Sequence, residues 1–167
     1  MSTKDEKNYF EPDARWESVF KINNIEEYKD QFGVRVDFNS NVPEDLQRGG
    51  AVLEALLVYA YYNYDLLDEV VRKVYGLFEL SVKLKTIELG GELEKVNGNG
   101  KKKAIVLDTL IKRFNDEKEL KDLVSILDDF RKSRNYNSNQ KLHNMEGPIV
   151  LGHVEKVVKV IDEIFKK

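Results

Sequence analysis

At 167 residues the chain has the size of one domain and can bury a sizeable apolar core without covalent staples. It contains no cysteine, which excludes disulfides, thiol catalysis and cysteine-ligated metals and fits a reducing cytoplasm. Lysine and arginine number 27 against 30 aspartates and glutamates, so bulk charge attracts no partner; a nucleic-acid surface would have to gather its cations locally, at Lys101-Lys102-Lys103 or around Arg131 and Arg134.

Residues 1–13 are polar and charged, unlike the apolar run of a signal peptide, so no export is expected and the cytoplasm is the expected compartment. Residues 1–42 read as an N-terminal arm packed on a helical domain spanning 43–167. In the arm, Asn23 or Asn24 offers an acceptor for the start of a short helix through Phe32, and Gly33 suits a left-handed end. Val34-Arg35-Val36-Asp37-Phe38 alternates apolar and polar residues, as a short strand or extended segment would. The apolar surroundings of Trp16 and Phe20 suggest a second interface.

From Pro43 the pattern turns helical, with Glu44 and Asp45 near the positive end of the helix dipole and Leu46, Leu53, Leu56 and Leu57 on an apolar face. The apolar run at 55–62 is far short of the roughly 20 residues that cross a bilayer, so no membrane span is expected. Asp65 is placed to cap a second long helix carrying Leu67, Val70, Val71, Val74, Phe78 and Val82, which Gly90-Gly91 should stop. Asn97-Gly98-Asn99-Gly100 reads as a turn in a surface loop; its spacing does not fit a phosphate-binding G-x-x-x-x-G-K-[ST] loop, and no buried strand precedes it. A short helix is expected over 104–114. A longer one, capped by Asn115 or Asp116, should run through Leu120, Leu123, Leu127 and Phe130. Pro148 opens a last amphipathic helix ending at Lys166-Lys167, and the class is all-α.

The densest group of polar donors lies at 131–143, between the last two helices. Arg131 and Arg134 are three residues apart, so a continuing helix would bring both guanidinium groups near one face, where they could grip phosphates. Tyr136 could stack on a base or simply pack. The simpler alternative is that the arginines pair with Asp128 or Asp129 and His143 makes a structural hydrogen bond.

An amphipathic helix ending Phe130-Arg131-Lys132-Ser133-Arg134-Asn135, a polar turn, and Gly147-Pro148-Ile149 leading into a closing helix resemble the tail of bacterial members of the HEPN superfamily. The resemblance is clearest over about the last fifty residues. Tyr75-Gly76-Leu77-Phe78-Glu79-Leu80-Ser81-Val82-Lys83 is similar to the glutamate- and lysine-bearing central helix of some such domains, although Glu79 and Lys83 also read as an ordinary intrahelical ion pair.

This resemblance implies a HEPN-like bundle of about five helices and a homodimer of a bacterial defence or toxin-type system. It further implies metal-independent RNA cleavage by an Arg-x4-6-His motif from each subunit, without a cofactor, and a protein partner from the same system. Arg134 and His143 would be the catalytic residues, with arginine stabilising an anionic transition state and histidine moving a proton from the ribose 2'-hydroxyl. Arg131, Arg134, Asn135, Tyr136 and Asn139 would hold the RNA.

The chain departs from the motif at one place. Four residues after Arg134 lead to Asn139 where the histidine is expected, and His143 lies beyond eight intervening residues. Asparagine can hydrogen-bond but exchanges no proton near neutral pH. Weakened or lost nuclease activity is therefore expected, whether Asn139 is natural or introduced, unless the loop brings His143 into the missing place. The alternative is a catalytically silent module that binds a nucleotide or a protein partner. No His-Glu-x-x-His metal site, Gly-x-Ser-x-Gly nucleophile turn or dinucleotide fingerprint occurs, and with only His143 and His153 no metal is expected.

Overall fold

The structure, a computed structural model, describes residues 10–33, 35–139 and 147–166, with the side chains of all but 137–139 and 147–148. Among them are seven α-helices and one two-stranded hairpin, an all-α bundle. The arm supplies two short helices, α1 (Ala14–Phe20) and α2 (Ile25–Phe32). The remainder supplies α3 (Glu44–Tyr59), α4 (Leu66–Glu88), α5 (Leu107–Arg113), α6 (Val124–Asn139) and α7 (Gly147–Ile164). Strands β1 (Glu94–Val96) and β2 (Lys102–Ala104) pair antiparallel between α4 and α5. No described helix is long and apolar enough to cross a membrane.

Helix α4 is the axis of the bundle because its apolar residues recur around more than one face. Val70, Val74, Phe78 and Val82 have no exposed surface, and the helix packs against α3, α5 and α7. It meets α3 closely at Gly49, where a Cβ would lie 2.2 Å from Leu77 Cδ2. Leu89 is its C-cap residue, and Gly90 follows at φ 77, a left-handed conformation that glycine adopts without a steric cost.

The arm belongs to the same core. Trp16 is 1% exposed, and its indole Nε1 donates to Ala60 O at 3.0 Å; the Tyr28 hydroxyl donates to Leu57 O at 2.5 Å. Both acceptors sit at the C-terminal end of α3, where carbonyls lack helical partners, so the two aromatic residues fill space and satisfy polar backbone at once. Burial pushes the Tyr28 hydroxyl up, which keeps it a donor. The expected interface around Trp16 and Phe20 is thus corrected for Trp16: its ring packs at 4.7 Å from that of Tyr28, inside the protein.

Asp13 begins α1 by accepting from Arg15 N at 3.1 Å and from Tyr64 N at 3.1 Å, and Arg15 Nε and Nη2 each donate to it at 2.8 Å. These bonds, the Arg15 side chain first, hold its carboxyl at about 2, below its ordinary 3.8. A depressed carboxyl contributes stability that is present above the unfolded value and lost as pH falls through the folded one. Acid titration should therefore erode the fold between about pH 4 and pH 2, and Asp13→Asn should flatten that limb in circular-dichroism melts. An unaltered acid limb would show that Asp13 carries no such linkage.

Several boundaries differ from expectation. Asn24 caps α2 by accepting from Glu27 N, but Gly33 has φ −76 and is not left-handed; its lack of a side chain matters because a Cβ would fall 2.2 Å from Lys29 O. Residues 35–38 form no strand, and Val34 lies outside the described residues. Val36 and Phe38 instead pack against the core over Gly50, so their alternation serves packing. The Asn97–Gly100 loop is the turn of the hairpin, with Asn97 N donating to Lys101 O. Ala104 ends β2, and α5 starts only at Leu107. Asn115 does not cap a helix: its Nδ2 donates back to Lys112 O, short 3-10 turns occupy Phe114–Asp116 and Lys121–Leu123, and α6 begins at Val124.

Candidate functional site

Two buried phenylalanines set the geometry of the site. Phe78 of α4 and Phe130 of α6 meet edge to face, with ring centroids 5.9 Å apart. The residues beside them in sequence, Glu79 and Arg131, then emerge at the rim of the packed seam. One turn further along α6, Arg134 reaches back to α4, where its Nη2 lies 2.5 Å from Glu79 Oε2. The other oxygen of Glu79 accepts from Lys83 Nζ at 2.7 Å. One carboxylate thus links two cations, one from each helix.

Arg131 belongs to a neighbouring cluster. Its Nε and Nη2 lie 2.8 and 2.7 Å from Asp128 Oδ1, and Nη2 lies 3.6 Å from Asp108 Oδ1 of α5. Asp108 also holds Lys112 at 2.8 Å, and Asp128 holds Lys132 at 2.8 Å. Lys132 and then Arg131 hold the Asp128 carboxyl below its ordinary range. Every carboxylate at this rim therefore already has a cation, and Arg131 and Arg134 enter any binding event from paired states.

The cations open onto a groove of about 590 Å³ between α4, α5, α6 and the base of the hairpin. Leu93, Ile105, Val106, Leu107 and Leu110 give it an apolar wall, while Glu79, Lys83, Asp108, Arg131, Arg134 and Asn135 give it a polar one. Apolar surface beside guanidinium and amide donors suits a ligand with an apolar part and an anionic group. Removing water from such a groove would strengthen the charged contacts.

The sequence-derived residues divide into three groups. Arg131, Arg134 and Asn135 come together at the groove, and Arg134 Nη1 donates to Asn135 Oδ1 at 3.3 Å. Tyr136 is on the same helix, 68% exposed, and is absent from the groove lining. Asn139 lies on α6, its side chain outside the description, and His143 lies outside the described residues. The continuous helix to Asn139 also shows that 131–139 is not a loop.

Sequence reasoning missed Asp108 and the apolar wall formed by the residues flanking the hairpin and by α5. The only available signal for Asp108 was its four-residue spacing to Lys112, which any exposed helix shares. His153 has a packed setting of its own. It is half-buried on α7, its Nδ1 lies 3.4 Å from the Tyr75 hydroxyl, and burial followed by the charge of Lys156 lowers its pKa. Among the described residues, no three His, Asp or Glu side chains converge as a metal-ligand set. Comparison with protein-family models, curated proteins and solved structures gives no match for this chain.

Proposed function

We propose that this chain is a HEPN-like, homodimeric protein that binds single-stranded RNA in the groove between α4 and α6, with ribonuclease turnover weakened or lost. The observation that carries this reading is the link from Arg134 through Glu79 to Lys83, which joins the arginine of the C-terminal motif to the glutamate and lysine of the central helix. Arg134 would hold a phosphate, Asn135 would orient it, and the apolar wall would receive a base. Asn139 supplies no proton-transfer group, so chemistry would depend on His143 or would not occur.

A second reading, a silent module for a protein partner, is favoured by the paired state of the arginines, because an anionic ligand must compete with Glu79 and Asp128. Cleavage of mixed-sequence single-stranded RNA in EDTA, compared between the chain with Asn139 and Asn139→His, tests the nuclease part. Cleavage gained with histidine, leaving 2',3'-cyclic phosphate ends, is the expected result. RNA binding without cleavage by either protein would leave a binding module and remove the nuclease ancestry. Absence of both would leave the protein-partner reading.

A further inference from the structure

We propose that the face of the hairpin bearing Lys95 and Lys103, together with Arg113 of α5, docks the phosphate backbone of the same RNA, a second contact that rests on the groove being an RNA site. The register places Lys95 directly opposite Lys103. Opposed residues of an antiparallel pair share one face with their Cβ atoms about 5 Å apart, and like charges so placed repel. A hairpin that retains this arrangement is relieved by any anion that settles between the two ammonium groups.

The two faces of the hairpin differ in compensation. On one face, Lys102 lies 3.6 Å from Glu94. On the other, among the described residues, neither Lys95 nor Lys103 has an ion-pair partner, and both are exposed. They line a depression of about 420 Å³ with Arg113, Thr109 and Glu92, three cations against one carboxylate. Arg113 Nη1 is anchored on Glu92 O at 3.1 Å, which fixes the guanidinium beside the depression.

Position makes RNA the fitting partner. Ala104, Ile105 and Val106 border both this depression and the groove, so the two share a wall. A polynucleotide leaving the groove over this wall meets the lysine pair next, and a chain of evenly spaced phosphates can engage both places. A small anion could occupy only one of them.

The test is fluorescence anisotropy of a labelled oligouridylate with the full chain over a series of potassium chloride concentrations, comparing the unsubstituted protein with Lys95→Gln/Lys103→Gln. Two lost phosphate contacts should reduce the slope of log affinity against log salt by about 1.4 and weaken low-salt binding roughly tenfold. Because the exchange removes a repulsion at exposed positions, the thermal midpoint should stay or rise, which separates lost binding from lost fold. Lys118→Gln/Lys121→Gln removes equal charge elsewhere and should change the slope much less. An equal change in that control, or an unchanged slope in the hairpin variant while Arg134→Ala still weakens binding, overturns the hairpin contact and leaves the groove. A hairpin-dependent slope with no effect of Arg134→Ala supports the hairpin contact and removes the groove, whereas no binding by the unsubstituted protein at low salt removes both.

Discussion

Replacing Trp16 with alanine is expected to lower the unfolding free energy by about 3–5 kcal/mol, a large part of the roughly 5–15 kcal/mol that holds a domain together. The indole is almost fully enclosed, contacts Phe20, Tyr28, Phe32 and Tyr64, and donates to Ala60 O. Its removal leaves a cavity and an unsatisfied carbonyl at the end of α3, and the arm loses its main anchor. Urea titration followed by circular dichroism should show a much lower midpoint, while Val19→Ala, at a position 64% exposed, should shift stability by less than about 0.5 kcal/mol. Equal midpoints for the two variants would mean that the arm contributes little to the core.

This dependence bears on the site through α3 and α4. The arm fixes the end of α3, α3 packs on α4 at Gly49, and α4 presents Glu79 and Lys83 to the groove. An arm released from the core would loosen the helix that supplies Glu79 and Lys83 to the polar wall.

The long helices were legible because burial on one side writes a period of 3.6 into the sequence. Leu67, Val70, Val74, Phe78 and Val82 carry α4, and Val150, Val154, Val157 and Ile161 carry α7. The hairpin was not legible: all six of its strand residues are exposed, so no apolar alternation marks it, and its strands are set by the Asn-Gly turn and backbone pairing. The short strand expected near Val36 failed for the opposite reason, since two apolar residues on alternating positions can pack on a helix without any ladder. At the site, the donors of α6 could be read individually, and so could the local pairing of Arg131 with Asp128, but the partner of Arg134 could not. Arg134 meets Glu79 across fifty-five positions only because Phe130 docks beside Phe78, a contact that neither local sequence encodes.

Arg134→Ala is expected to weaken single-stranded RNA binding by about ten- to a hundredfold, since a hydrogen bond to a charged group contributes about 1.5–3 kcal/mol and each 1.4 kcal/mol is tenfold. The effect on folding should be small, because the ion pair to Glu79 is only partly shielded from water, with side-chain exposures of 35% and 25%. Arg134→Lys should retain part of the affinity, keeping the charge while losing the planar fork. Isothermal titration at two salt concentrations distinguishes these variants. Unaltered affinity and salt dependence in Arg134→Ala would remove the arginine from the binding surface.

The groove itself is tested most directly by titrating the isotope-labelled protein with a short single-stranded RNA and following every backbone amide by nuclear magnetic resonance. Binding between α4 and α6 predicts saturable shifts that cluster at Glu79, Lys83, Ile105, Val106, Arg131, Arg134 and Asn135, the residues that line the groove. Shifts that leave these amides unmoved, or that gather at another face of the bundle, would contradict it.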